Sequence, residues 1–451
     1  MTRASTTDTG AGRGPGPVDE AADLSVTDAA MLAAPLVTLL VLALVRKGAF
    51  FQPNVVVSPA LVLALAVSAP AVRVWIRGHL AAVAAGTVAT AGWILDSTVS
   101  HHGVDSWRLP ATWICATAGY GCARGLPHRA RGALLVTVSV AGGALAAAGL
   151  TLVGVRSTFW TLVDERSLRY AGPLTYPSAV GLFLVISLVA TAEAWPSRRR
   201  PDLIWTTIVR AVIVLGVIAT DSRGAVLGLV VALCFRRLRQ PLGPAAIAAV
   251  VAGPLLLLGQ RTDGERLLAT ATAAAVAVAI AVSIVLVVAT GVARRVVTVA
   301  AAPAIVVIGW LLLTQHHVVS GLDASWTERG NILRGAASLF ARHPWFGAGP
   351  DPRIPAHTLA GQPGVAFFAH NEPVEILVSI GVIGTLLLAG CVTVVVRALY
   401  DHRSVLATPL AISAASAGLV DFVWHFPALG LAIGIVAGAS MRRNSQVRLG
   451  P

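Results

Sequence analysis

Long apolar runs broken by short arginine clusters dominate the chain. They lie near 29–45, 54–71, 79–95, 109–123, 133–153, 174–195, 203–219, 224–235, 243–259, 267–291, 296–314, 373–397, 404–420 and 427–441. One bilayer crossing needs about 20 apolar residues, so the pattern predicts an all-α, polytopic integral membrane helix bundle of about 12–14 transmembrane helices. The run 224–235 is short for a crossing and must extend into its flanks or pack inside the bundle. Residues 1–28 are polar, with Gly, Pro, Asp and Thr, and read as a disordered cytoplasmic tail. Residues 29–441 form the membrane domain, and 442–451 a second cytoplasmic tail. No signal-peptide cleavage pattern precedes the first run, which is therefore expected to stay as a span.

Composition sharpens this picture. The 451 residues are 56% hydrophobic and only 12% charged. Soluble domains are typically about 25% charged, so a soluble enzyme and a disordered chain are both excluded. The net charge is +13. The arginines sit between apolar runs, the distribution of the positive-inside rule rather than of a nucleic-acid surface. With both termini cytoplasmic, 20 of the 34 basic residues fall in the tails and alternate loops of that side. The expected location is the plasma membrane, as a multi-pass protein. The opposite side then holds loop 155–173, a tight Asp221-Ser222-Arg223-Gly224 turn and a large extracytoplasmic loop over about 315–372. Trp326, Phe340, Trp345, Phe346, Phe367 and Phe368 predict that this loop folds on the membrane surface. Cys115, Cys122, Cys234 and Cys391 have no zinc-site spacing and read as small buried hydrophobes.

Four polar constellations on that outer side could carry chemistry. In Ala369-His370-Asn371-Glu372-Pro373-Val374-Glu375, polar residues end where an apolar helix begins. Asn371 suits an N-cap and Glu372-Pro373 a first turn. His370 then stands at the mouth of a span, beside a helix N-terminus that favours an anion such as phosphate; alternatively it only closes a loop. Arg329 and Arg334 project from an amphipathic piece, as ligand contacts or as a solvated face. It is followed by His343-Pro344-Trp345-Phe346-Gly347-Ala348-Gly349, a turn whose backbone amides could reach a ligand. Arg223 is costly between two apolar helices unless paired, by Asp221 or by an anionic ligand held bidentately. Asp421 and His425 lie four apart and would share a face on a continuing helix, as a structural pair or as catalytic groups. No metal site stands out: His101-His102 and His316-His317 lack carboxylates at ligand spacing, and there is no H-E-x-x-H, P-loop or serine-nucleophile motif.

Taken in order, Ser222-Arg223-Gly224, Arg329, His343-Pro344-Trp345-Phe346-Gly347-Ala348-Gly349, His370-Asn371 and Gly381-Val382-Ile383-Gly384 resemble the O-antigen ligase and O-antigen polymerase superfamily of bacterial polysaccharide assembly. Tyr176-Pro177-Ser178 and the Asp421–Pro427 hairpin also look like that family, so the resemblance covers about 170–430. It implies a helical membrane glycosyltransferase with a large external loop, acting on a polyprenyl-diphosphate-linked glycan without metal or other cofactor. The acceptor would be a glycan, a lipid or a protein. Membrane lipid and other polysaccharide-assembly proteins are the further partners, and nucleic acid is not one. The resemblance makes His370 the catalytic histidine and Arg223 and Arg329 the donor-binding arginines. Around them, Tyr176, Arg334, Asn371, Glu372, Glu375, Asp421 and His425 are the expected substrate-binding residues. The chain departs from the family at Leu333, where Trp is common, at Ser379, where Glu is common, and at Ser178, where Asn is common. The second departure leaves Glu372 or Glu375 to supply the acidic partner. Exopolysaccharide or capsule assembly is the favoured setting.

The competing class is a transporter or flippase for an anionic lipid-linked or small solute. Against it, the candidate residues cluster at one face, no internal repeat is evident, and few charges beyond Glu193 and Arg210 fall inside helices. A lipid-sugar glycosyltransferase with an acidic residue in its first external loop is a third class. Here that loop, 46–54, has no Asp or Glu.

Overall fold

The computed structural model describes residues 26–45, 47–50, 56–57, 59–61, 63, 80–99, 104–164, 167–195, 200–260, 264–288, 299, 316–350, 352–357, 363–400 and 406–440. The expected span 54–71 lies largely, and 296–314 almost wholly, outside these residues, as do both polar tails. Along the chain come α1 (Val26–Val45), α2 (Leu80–Val99), α3 (Arg108–Gly125), α4 (His128–Gly154), α5 (Pro177–Ala194), α6 (Arg200–Ala219) and α7 (Arg223–Cys234). They are followed by α8 (Arg236–Gln260), α9 (Glu265–Val288), α10 (His316–Arg342), α11 (Glu372–Tyr400), α12 (Ala407–Gly418) and α13 (Pro427–Ala439). Six of the described helices, α4, α5, α6, α8, α9 and α11, are long and apolar enough to cross a membrane. The fold is the all-α polytopic membrane bundle that the hydropathy pattern predicts.

Apolar on every side, α5 is a buried helix. Its neighbours are α4, α6, α7 and α13, and nearly every residue from Pro177 to Thr191 is excluded from the surface. The tightest pair is α3 with α13. Gly430, Gly434 and Gly438 recur every four residues, and a Cβ at each would run into the carbonyl of Thr112, Ala116 or Tyr120. Small residues at this spacing let two backbones touch, which is how helices associate where no hydrophobic effect drives them together. The contact fixes the helix that follows the Asp421–His425 loop. Cys115 and Cys122 are buried as expected, whereas Cys234 and Cys391 reach the helix surface.

Two short hairpins interrupt the helices. β1 (Thr161–Asp164) pairs with β2 (Ser167–Tyr170), and β3 (Ile354–His357) with β4 (Pro363–Ala366), both antiparallel. Four-residue strands are too brief to leave a periodicity in the sequence. The first is anchored by the buried Tyr170, whose hydroxyl donates to the Leu145 carbonyl at 2.8 Å.

The His343–Gly349 turn does something other than expected. Its amides serve the backbone of α11 instead of facing a ligand. That helix is broken at Gly381 (φ 65°, ψ −172°). Ala348 N–H donates to Val378 O (2.8 Å) and Gly349 N–H to Ser379 O (3.0 Å). In return Val382 N–H reaches Pro344 O (2.9 Å) and Ile383 N–H reaches Trp345 O (3.2 Å). A helix can break at membrane depth only where its freed groups are satisfied again, and the inserted turn satisfies four of them. Gly381 is needed twice: for its positive φ, and because a Cβ would strike the Trp345 carbonyl. Gly381→Ala should therefore lose about 1–3 kcal/mol through the positive φ alone, and more through the collision. Gly390→Ala, further along α11 with open space around its Cα, should be neutral. Thermal unfolding of the detergent-solubilised variants distinguishes them, and equal melting temperatures would refute this account of the break.

Candidate functional site

Four chain segments meet at one end of the bundle: the Lys47–Phe50 turn, the Thr220–Arg223 turn, the segment before α11 and the α12–α13 loop. The last of these carries Asp421. It does not lie on a helix shared with His425, because α12 ends at Gly418 and only a 3-10 turn, Val423–His425, follows. The two side chains consequently find separate partners.

Asp421 is 5% exposed and ringed by donors. Tyr176 Oη donates to Oδ1 at 2.5 Å, Ser178 Oγ to Oδ2 at 2.5 Å, and the Phe422 amide to Oδ1 at 3.0 Å. His370 Nδ1 lies 3.3 Å from Oδ1. Ser222 Oγ extends the network by donating to Ser178 Oγ at 2.9 Å, while accepting the Ala225 amide as the cap of α7. Burial pushes the Asp421 pKa up, but hydrogen bonds from His370, Ser178 and Tyr176 outweigh it and hold the carboxyl below its ordinary value. For Tyr176, burial and then the Asp421 charge drive the phenol well above its usual range, so it remains a donor.

An ionised Asp421 can only accept. The proton between it and His370 therefore sits on Nδ1, and in the neutral ring Nε2 is the nitrogen with the lone pair. Among the described residues Nε2 has no hydrogen-bond partner, and the imidazole is 31% exposed. The His370 backbone is held at φ 53°, and Lys47, Thr175 and Asp221 also have positive φ. Four strained non-glycine residues around one mouth are a mark of functional sites.

Arginines surround this pair. Arg329 Nη1 donates to the Val420 carbonyl at 3.4 Å, next to Asp421. The charges of Arg329, Asp221 and Arg169 all reach Arg223, and those of Arg169 and Arg329 reach Tyr176. Arg223 is exposed at the first turn of α7. Asp221 is no ion-pair partner for it within 4.0 Å, so the pairing expected as the alternative to ligand binding is not formed. Arg169 was not singled out in the sequence. It reaches from β2 to Thr220 O (3.3 Å) and Asp221 O (3.0 Å), steadying the turn that presents Arg223. Nothing in its local sequence marks it.

The remaining expected residues divide by role. Asn371 caps α11, its Oδ1 accepting the Val374 amide at 3.0 Å, and its Nδ2 donates to Leu419 O at 2.8 Å. Arg334 binds Asn331 Oδ1 on its own helix at 2.9 Å and is not brought into contact with the cluster. Glu372 and Glu375, expected as acidic partners for His370, face His425 instead: Glu372 lies 3.3 Å from Nδ1 and Glu375 Oε1 3.3 Å from Nε2. Arg108, also unforeseen, packs over the Phe50 ring at 3.9 Å and donates to Phe50 O at 3.0 Å.

Fold and site together define a multi-pass helical membrane protein that gathers a histidine–carboxylate pair and several guanidinium groups at one end of its bundle. Residues 245–389 match the family model described as O-Antigen ligase. The match agrees with the resemblance read from the motifs: over this stretch, about a third of its length, the chain is similar to the O-antigen ligase family. The matched stretch contains Arg329, the His343–Gly349 turn and His370, while Tyr176, Arg223, Asp421 and His425 lie outside it. A comparison with curated proteins finds no match.

Tyr176→Phe removes one donor to Asp421 and should raise its pKa. A carboxylate with a lowered folded-state pKa stabilises the fold above its unfolded value, and that contribution is lost as pH falls through the folded value. The acid limb of thermal stability should accordingly move to higher pH in the variant. An unmoved limb would show that the hydroxyl does not support the carboxylate.

Proposed function

We propose that the protein transfers or polymerises a polyprenyl-diphosphate-linked glycan onto an acceptor hydroxyl at the extracytoplasmic face, by a single displacement that inverts the anomeric centre. Exopolysaccharide or capsule assembly is the setting this reading favours. The observation that carries it is the Asp421–His370 pair: an imidazole oriented through Nδ1 by a buried carboxylate, at the end of the bundle that also carries Arg223 and Arg329.

In this reading the acceptor O–H gives its proton to His370 Nε2 as its oxygen attacks the anomeric carbon. The bond from that carbon to the diphosphate oxygen breaks on the opposite side. Asp421 remains ionised, fixes the tautomer and stabilises the imidazolium that forms. Charge grows on the departing diphosphate, and Arg223 and Arg329 offset it. Removing one such contact typically costs about 3 kcal/mol, or roughly 10²-fold in rate. Arg169 keeps the Arg223 turn in place. The apolar spans below the mouth accommodate the prenyl chain. Arg200 at the start of α6 and Arg236, Arg237 and Arg239 in the first turn of α8 lie at the opposite end of these helices, and by the positive-inside rule that end is taken as cytoplasmic.

His370→Ala and Arg223→Ala should each abolish glycan transfer while the protein still inserts in the membrane. Asp421→Asn should lower kcat by up to about 10⁴-fold, the size of effect seen when the carboxylate that fixes a catalytic histidine's tautomer is lost. Transfer is followed in vitro with a polyprenyl-diphosphate oligosaccharide donor, with and without chelator. Normal product from His370→Ala would overturn the reading.

A further inference from the structure

A second imidazole–carboxylate cluster lies beside the first, and the mechanism above leaves it unused. Its centre is His425, which is buried, as are Glu372 and Glu375. Nδ1 is 3.3 Å from both oxygens of Glu372, and Nε2 is 3.3 Å from Glu375 Oε1. A neutral imidazole has one N–H and could serve only one of these carboxylates; the imidazolium serves both.

Each carboxylate also takes a backbone amide. Glu372 Oε1 accepts the Trp424 N–H at 2.7 Å, inside the loop that carries Asp421. Glu375 Oε2 accepts the Ala369 N–H at 3.1 Å, and Ala369 immediately precedes His370. The two carboxylates sit three apart in the first turn of α11, where the helix dipole favours negative charge. Between them they hold the backbone beside His370 and the backbone beyond Asp421.

We propose that Glu372, His425 and Glu375 are positioning residues for the transfer reaction: a buried imidazolium bracketed by two carboxylates that fixes the His370 segment against the Asp421 loop. The proposal rests on the assigned role of His370 and adds a requirement to it. The charged groups facing His425 are Glu372 and Glu375 from α11 and Arg108 from α3. Burial is the largest single influence and opposes protonation. The two carboxylates together overcome it, against a smaller opposing push from Arg108, and the pKa rises to about 9. Since the folded value is raised, the cluster's contribution to stability is complete below the ordinary histidine pKa. It is lost as pH rises through about 9. Catalysis that depends on the cluster fails over the same alkaline window.

The test uses the full chain in detergent micelles, carrying ¹³C-labelled histidine, with the His425 resonance assigned by its loss in His425→Gln. In the parent protein His425 should remain an imidazolium through neutral pH and titrate near pH 9. In Glu375→Gln, which keeps an acceptor for the Ala369 amide but removes a charge, it should titrate lower. The alkaline limb of kcat should move down in step. Because a displacement of about 1 Å typically costs about 10²-fold, Glu375→Gln and His425→Gln should lose about 10- to 100-fold in kcat, with KM for a polyprenyl-diphosphate disaccharide little changed. Titration of His425 below pH 7 in the parent protein would overturn the proposal even in a variant series that folds poorly. So would an unmoved alkaline limb in Glu375→Gln. His370→Ala, run alongside, separates the two ideas. If it stays active the transfer mechanism falls; if it is dead while Glu375→Gln behaves as parent, only the positioning role falls.

Discussion

An ionised carboxylate at the end of an apolar bundle costs several kcal/mol unless donors replace the water it gives up. Asp421 meets that demand with four: the Tyr176 and Ser178 hydroxyls, the Phe422 amide and the His370 ring. These donors come from the start of α5, from its own loop and from the segment before α11. Placing one charge in one position thus requires three distant parts of the chain to arrive together. The geometry of the whole mouth follows, because Val420, next to Asp421, receives Arg329, and Ser178, bound to Asp421, receives Ser222 beside Arg223.

The interrupted helix beneath the mouth obeys the same rule on the backbone. Breaking α11 at Gly381 frees carbonyls and amides, and the His343–Gly349 turn takes them up. Two sequence motifs separated by some thirty residues are therefore one structural feature. Their glycines serve close backbone approach, with Gly347 and Gly381 each occupying space the other strand needs. The turn also ties the end of α10, which carries Arg329, to the helix that begins just after His370.

Much of this was legible in the sequence, for definable reasons. Helix positions follow from apolar run length, and each expected span that falls within the described residues has its helix. The cap at Asn371 was readable because capping is local. His370, Arg223 and Arg329 stood out because polar residues at the mouths of apolar runs are rare. Partnerships were not readable, since they depend on loop paths. Four-residue spacing paired Asp421 with His425, but the chain leaves the helix at Gly418 and the spacing loses its meaning. Nearness in sequence offered Glu372 and Glu375 to His370, but the first turn of α11 directs both to His425. Arg169 and Arg108 gave no signal because each acts through carbonyls or rings contributed by remote residues.

Aromatic rings account for how two histidines so close together keep different company. Phe368 and Phe422 stack at 4.2 Å between centroids, with their planes almost parallel. His370 meets the edge or face of Phe422 at 5.3 Å, and His425 meets Phe368 at 5.6 Å. The stacked pair touches both imidazoles, His370 through Phe422 and His425 through both rings (5.6 and 6.5 Å), and gives the two clusters a shared low-polarity neighbour. In such surroundings a charge interacts strongly with what touches it and water does little to share it out. Each histidine answers to its own carboxylates: His370 to one, which leaves a ring nitrogen open, and His425 to two, which leaves none. The same residue type, set in the same corner of the fold, is equipped for proton transfer in one case and for holding the backbone in the other, and the difference lies in how many acceptors each ring meets.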